Sequence, residues 1–235
     1  MEPWLNYKDS QLFGIDILFT DLRNYQNLIE GFLLEKKSIL KKDFDETDLE
    51  IESKKAGENA NRYYEHLIDS YSERHHEISR LFPHNFRASF LTQVISVIET
   101  ELKRICDHYG AVNKQLFTVD EMQGTDDLEK CKTFLKKISN IDFRKFDQEW
   151  QYIKKCKALR NKIVHQDGRI KNENKDLIKF VENHESVDAE RAPSMLDDFT
   201  TFMIVNKKLI DDLLSIAQTF FNKLLEEKLE FKKLH

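Results

Sequence analysis

The chain carries the sequence KKCKALRNKIVHQDG at residues 154–168. This stretch is typical of the last turns of a helix, and Gly168 predicts its end because glycine readily adopts the positive φ with which many helices close. Arg160, Asn161 and His165 lie within these turns. Between residues 154 and 171 there are seven lysines and arginines but one acid, Asp167. The sequence therefore predicts a basic helix end that carries an arginine, an amide and an imidazole.

Apolar side chains between residues 146 and 164 fall on one broad face when the helix is extended backwards at about 100° per residue. They are Phe146, Trp150, Ile153, Cys156, Leu159, Ile163 and Val164. Such a face normally packs into a core, and Arg160 falls near its middle. A guanidinium there loses much of its water and needs a carboxylate, backbone carbonyls or an anionic ligand. Glu99 and Glu101 on an earlier helix are both candidate partners, and the sequence does not choose between them.

Asn161 and His165 are four residues apart, so they lie on one side of the helix and flank Arg160. The imidazole of histidine changes its protonation near neutral pH, whereas arginine stays charged. This combination suits a site that holds a phosphate with one group and moves a proton with the other. The structural alternative is an arginine buried against a glutamate, with His165 near the negative end of a helix.

The six residues from Arg160 to His165 fit the pattern R-(polar)-x3-H. This pattern resembles the signature of HEPN domains, all-helical modules of which many are metal-independent endoribonucleases in toxin–antitoxin, abortive-infection and CRISPR systems. The resemblance covers the helix 143–167, and the segment Phe90–Tyr109 is similar in character to the earlier helix of such bundles. Residues 1–82 carry no such resemblance.

The resemblance implies catalytic roles for Arg160, Asn161 and His165, and a homodimer in which two copies of the motif helix form a composite cleft. One histidine supplies half of the acid–base chemistry of RNA cleavage, and a twin subunit would supply the rest. RNA contacts are expected from the basic residues Lys154, Lys157 and Lys162. HEPN toxins that are silenced by AMPylation carry a tyrosine two positions after the histidine. Asp167 occupies that position here, which argues against such silencing.

Composition predicts an all-α fold, an antiparallel helical bundle with long N-terminal and C-terminal helices. The 235 residues are 40% hydrophobic and 34% charged, with six Gly and three Pro, and this balance favours long helices over a turn-rich β fold. We expect one helical domain over residues 1–235, with a long-helix N-terminal portion at 1–82 and the HEPN-like bundle at 83–235.

Apolar residues at three- and four-residue spacings predict the individual helices. A loose lead-in is expected at residues 1–11, and breaks at Pro83, which lacks an amide hydrogen, and at Gly110. The predicted helices span residues 12–40, 48–81, 85–109, 127–138, 143–167, 176–184 and 195–231.

The net charge of −5 excludes a globally basic nucleic-acid binder, so any RNA site must be a local positive patch. The three cysteines are isolated, which fits a reducing cytosol and makes a metal knuckle unlikely. No signal-peptide pattern and no membrane-length apolar run is present, and a cytoplasmic location is expected. Adjacent histidines at positions 75 and 76 do not form a zinc motif, and nucleotide-cradling glycine motifs are missing. No cofactor and no metal is predicted.

These observations lead to a metal-independent endoribonuclease of a bacterial defence or toxin–antitoxin system, which cleaves RNA by 2′-hydroxyl attack at a dimer interface. An antitoxin or another defence protein is a possible partner, and no membrane is expected. The alternatives are a helical scaffold for partner proteins and a non-cleaving RNA-binding module, in which Lys154, Lys155 and Arg169 would matter more than His165.

Overall fold

The protein is a bundle of helices beside a small sheet. The computed structural model describes residues 3–47, 51, 54–55, 57–112, 114–115, 117–192 and 198–227, with side chains for all of these except 3–6 and 58. Its α-helices are α1 (Pro3–Glu46), α2 (Ala60–His76), α3 (Phe82–Val112), α4 (Asp127–Lys137), α5 (Asp147–Gln166), α6 (Lys175–Asn183) and α7 (Lys208–Glu226). Short 3-10 turns lie at Gly57–Asn59 and Phe143–Phe146. The helical class with long N-terminal and C-terminal helices is confirmed.

Three short strands form an antiparallel sheet that the sequence did not predict. They are β1 (Arg169–Lys171), β2 (Val187–Arg191) and β3 (Phe199–Ile204), and they lie in the order β1–β3–β2. Alternate residues of β3 are buried, among them Phe202 and Ile204. This period of two is the pattern of a strand with one face on the core.

The core lies between α1, α3, α5 and α7. Both α1 and α5 pack against α3 and against α7, so α1 and α5 lie diagonally across the bundle. One continuous buried apolar cluster extends from Ile15 on α1 to Leu225 on α7. Trp150 on α5 packs edge-on against Phe143 and contacts Phe220 of α7. Aromatic pairs of this kind add to the free energy gained from burial.

The apolar stripe of α3 is fully buried, as its sequence pattern predicts. It consists of Leu91, Val94, Ile95, Ile98, Leu102 and Ile105. The predicted break at Pro83 is wrong, because the chain passes from α2 into α3 through a π-helical turn at Glu77–Leu81. In this turn the Phe82 amide donates to the Glu77 carbonyl, and Pro83, which has no amide hydrogen to donate, follows directly after it. The predicted end at Gly110 is also wrong, since α3 continues to Val112.

Both chain ends differ from the predicted helix limits. Helix α1 begins at Pro3, so the expected lead-in at residues 1–11 is helical from that residue onward. The C-terminal helix begins at Lys208 rather than near residue 195, because Phe199–Ile204 forms β3. Its predicted start near Met195 and its end beyond residue 227 lie outside the described residues. The same holds for the expected start of the second helix at residue 48.

Among the residues described, no helix combines the length and the apolar character needed to cross a lipid bilayer.

Candidate functional site

Helix α5 ends just before Gly168, as the sequence predicts. Asp167 adopts a left-handed conformation with φ 51°, and Gly168 follows with φ 70°. The Asp167 and Gly168 amides both donate to the Lys162 carbonyl, the latter over 3.0 Å, and so cap the end of the helix. This cap fixes the last turn of α5 and thereby the position of His165.

Arg160 lies at the edge of the buried face of α5 rather than at its middle. Val164, which the wheel assigned to the apolar face, is 50% exposed, whereas Trp150, Ile153, Cys156 and Leu159 are buried. The Arg160 side chain keeps 23% of its surface exposed. It is therefore partly desolvated but still reaches solvent.

The Arg160 guanidinium donates one hydrogen bond within the described structure. Its Nη1 donates to Asn161 Oδ1 over 3.0 Å. Its Nη2 lies 3.9 Å from Glu99 Oε2, which is too long for a hydrogen bond. Its Nε is buried and has no hydrogen-bond partner within the described structure. Asn161 thus orients the guanidinium, whose exposed part can meet an anionic ligand, whereas the buried Nε is out of reach of solvent.

Glu99, rather than Glu101, is the carboxylate that faces the motif. Lys157 holds Glu99 Oε1 at 2.5 Å and Asp126 Oδ1 at 2.9 Å, whereas Glu101 pairs with Arg104 on its own helix. Burial alone would lower the pKa of Lys157, but its hydrogen bonds to the two carboxylates hold the pKa above its ordinary value. Glu99 therefore pairs closely with Lys157, and Arg160 lies farther from it.

Asp126 links this ion-pair cluster to α4. Its carboxylate accepts the Glu129 amide and caps the helix. Burial would raise the pKa of Asp126, but the hydrogen bonds from Lys157 and from the Glu129 amide hold it below its ordinary value. The lysine, the cap and Glu99 thus fix α3, α4 and α5 relative to each other.

Two clefts meet at His165, whose side chain is exposed. The motif cleft, of about 420 Å³, is lined by Glu99, Thr125, Asp126, Asp127, Lys157, Arg160, Asn161, Lys162, His165 and Gln166. The strand cleft, of about 720 Å³, is lined by His165, Gln166, Asp167, Arg169, Lys171, Glu173, Asp198 and Phe199. All three residues of the predicted site therefore line one cleft, and His165 also borders the second.

The strand cleft brings together residues that are distant in sequence. Pairing of β1 with β3 sets Lys171 opposite Phe199, and the Arg169 guanidinium lies 5.0 Å from the centre of the Phe199 ring. The sequence marks Arg169 as part of a basic segment but gives no sign that Phe199 lies beside it. Only recognition of β3 as a strand would have found this pair.

The three lysines predicted to contact RNA differ in their exposure and in the ion pairs that their ammonium groups make. Lys154 pairs with Glu129 at 2.6 Å, and Lys162 donates to Gln166 over 3.0 Å. Both side chains are on the surface of α5. Lys157 is buried in its ion pairs, so an RNA contact from it would require that these pairs open. The RNA contacts stay predictions.

In the residues described, no group of three or more His, Cys, Asp and Glu side chains is placed to hold a metal ion.

No protein-family model, no curated protein and no solved structure matches this chain.

Proposed function

We propose that this chain is a metal-independent endoribonuclease of the HEPN type, with Arg160, Asn161 and His165 as its active-site residues. The observation that carries the proposal is the shared cleft, which a partly buried guanidinium and an exposed imidazole both line. A role in bacterial defence or in a toxin–antitoxin pair belongs to the same proposal and follows from the motif resemblance.

The chemistry assigns a distinct task to each residue. Arg160 binds the scissile phosphate and stabilises the charge of the phosphorane through charge-assisted hydrogen bonds. Asn161 holds the guanidinium in position through its 3.0 Å hydrogen bond. His165 removes the proton of the 2′-hydroxyl or donates a proton to the leaving 5′-oxygen. The 2′-oxygen then bonds to phosphorus as the bond to the 5′-oxygen breaks, which leaves a 2′,3′-cyclic phosphate.

A single His165 performs one of the two proton transfers, so the proposal includes a second subunit that brings its own His165. The exposed position of this side chain at the junction of the two clefts is compatible with such a partner. The two clefts also offer an RNA strand a path, in which the phosphate lies in the motif cleft and the neighbouring nucleotide extends into the strand cleft.

The test is cleavage of total RNA by purified protein in the presence of EDTA. Wild-type protein is expected to cleave and to leave 2′,3′-cyclic ends, whereas Arg160→Ala and His165→Ala are expected to lose at least about 10²-fold in rate. His66→Ala, which removes an exposed histidine from α2, is the matched control and should retain full activity. Undiminished cleavage by both site variants would remove the assignment.

The second candidate is a module that binds RNA without cleaving it. Two observations favour it: Glu99 lies near Arg160, and the described residues offer His165 no hydrogen-bond partner that would orient its ring. In that case RNA remains intact, and Lys154→Ala weakens binding more than His165→Ala does.

A further inference from the structure

Helix α1 is apolar on two opposite faces. Its inner face packs into the bundle through Ile15, Phe19 and Leu22, which are buried. Its outer face carries large apolar side chains in solvent, with exposed fractions of 69% for Phe13, 46% for Ile17, 70% for Leu28 and 51% for Phe32. Single exposed apolar residues are common on protein surfaces, whereas several on the same side of one helix indicate an interaction surface.

These four residues lie on one side of α1 as two apolar pairs, Phe13 with Ile17 and Leu28 with Phe32, and the exposed polar residues Asp21 and Asn24 lie between the pairs. At about 100° per residue they fall within an arc of about 100°, on the side of α1 that faces away from the core. The stripe extends about 28 Å along the helix from Phe13 to Phe32. Leu34 is equally exposed at 67% but lies outside this arc. We call the four residues and the positions between them the α1 stripe.

The order of residue types along the α1 stripe is similar in both directions, although not identical. About a centre between Leu22 and Arg23, Phe13 mirrors Phe32 and Ile17 mirrors Leu28. Gly14 mirrors Gly31, and both glycines have open space where a Cβ would lie. Near the centre, Asp21 mirrors Asn24, both exposed. A carboxylate and an amide are complementary hydrogen-bonding groups.

From this symmetry we infer that the α1 stripe binds the α1 stripe of a second copy of the chain, with the two helices antiparallel. A two-fold axis places each residue opposite its mirror position, as an isologous interface requires. Phe13 then meets Phe32 of the second copy, Ile17 meets Leu28, and Asp21 meets Asn24. The glycines allow the helices to approach closely beside the phenylalanine rings. Because the four side chains are already partly buried in the free chain, the contact buries less than about 1,000 Å², the size of a weak interface.

This interface is separate from the candidate active site. Helix α1 lies diagonally across the bundle from α5, and the α1 stripe faces away from the bundle. The contact therefore leaves the motif cleft and the strand cleft open, and it does not depend on whether the protein cleaves RNA.

The first test compares two leucine substitutions on the same helix. Leu28→Glu places two charges within each dimer contact and is expected to raise the dissociation constant at least tenfold, so that the sedimenting mass falls relative to wild type. Leu34→Glu removes an equally exposed leucine outside the stripe and should leave the mass unchanged. Circular dichroism checks that both variants fold. A wild-type mass that Leu28→Glu does not lower, or a wild-type chain that is monomeric up to about 100 μM, overturns the inference.

The second test fixes the direction of the two helices. Chains with Phe13→Cys are mixed with chains with Phe32→Cys and oxidised. A disulfide-linked dimer is expected in the mixture but not with either variant alone. The native cysteines Cys106, Cys131 and Cys156 are buried and should not interfere. Cross-linking of each variant alone indicates parallel helices and overturns the antiparallel contact, as does a mixture that forms no cross-link.

Discussion

Lys157 is the charge on which the arrangement of the motif cleft depends. It lies between Glu99 at 2.5 Å and Asp126 at 2.9 Å, and without it two neighbouring carboxylates would face Arg160. The guanidinium would then be drawn toward Glu99 and away from a phosphate. The lysine that the sequence suggests as an RNA contact thus has a clear role in keeping the arginine available.

Replacing Lys157 by methionine is expected to lower the free energy of unfolding by about 2 kcal/mol, because it leaves partly buried carboxylates without their counter-ion. Denaturant titration measures this loss. Lys154→Met on the same helix removes a more exposed ion pair and should cost less than about 1 kcal/mol. Adding Glu99→Gln to Lys157→Met should recover part of the loss, and strictly additive effects would contradict the proposed coupling.

At the residue scale, the sequence brought the three candidate site residues together but said little about the side chains around them. Helical spacing alone places Arg160, Asn161 and His165 on adjoining parts of one surface. It does not give the rotation of α3 about its own axis, so it left Glu99 and Glu101 as equal candidates. Helical spacing also assigned Val164 to the buried face, because it does not show that α5 ends beyond the core and exposes this residue.

At the element scale, strand β3 forms part of the strand cleft that His165 borders. Its residues include Phe199, Phe202 and Met203, whose three- and four-residue spacings also suit a helix that continues into α7. The pairing of β3 with β1 and β2 settles the question in the fold, but such pairing joins residues far apart in sequence and leaves no local pattern. The strand cleft could therefore not be predicted from the motif.

Arg169→Ala is expected to weaken the binding of single-stranded RNA to a cleavage-deficient His165→Ala protein about tenfold, since it removes a cation and the guanidinium that covers Phe199. Fluorescence anisotropy with a labelled oligonucleotide measures the change. Arg191→Ala is the matched control, because Arg191 lies on β2 and pairs with Glu182 away from both clefts. Equal losses from both arginines would indicate non-specific charge attraction and remove the strand cleft from the RNA path.

At the scale of the whole molecule, two partly buried histidines link the bundle to β3 and to the loop before β2. His84 at the start of α3 accepts the Ile204 amide of β3 at Nδ1 over 3.0 Å. His184, after α6, accepts the Ser186 amide at Nδ1 and contacts the Tyr152 hydroxyl of α5 at Nε2. Each Nδ1 must be unprotonated to accept its hydrogen bond, so both contacts require a neutral ring. The Ile204 amide and the Tyr152 hydroxyl lie 120 and 32 residues from their histidines in sequence, so no local pattern points to these contacts.

These two histidines predict that the protein loses stability in mild acid. Burial lowers the pKa of His84, with a further contribution from the charge of Arg87. Burial also lowers the pKa of His184 and outweighs the opposing effect of Asp212. The unfolded chain therefore binds protons below about pH 6.5 that the folded chain does not bind, and the free energy of unfolding should fall as the pH is lowered from 7.5 to 5.5. Denaturant titrations across this range measure the slope.

The pH slope should be weaker in a chain that carries both His84→Gln and His184→Gln, since glutamine does not titrate, whereas His66→Gln on the surface of α2 should leave it unchanged. Asp126 and Glu149 do not contribute in this range: their lysine partners hold their pKa values below the ordinary carboxylate range despite burial. Their effect on stability appears only below about pH 5. A double variant with the full wild-type slope would show that the acid sensitivity arises elsewhere and that these rings do not link the sheet to the bundle.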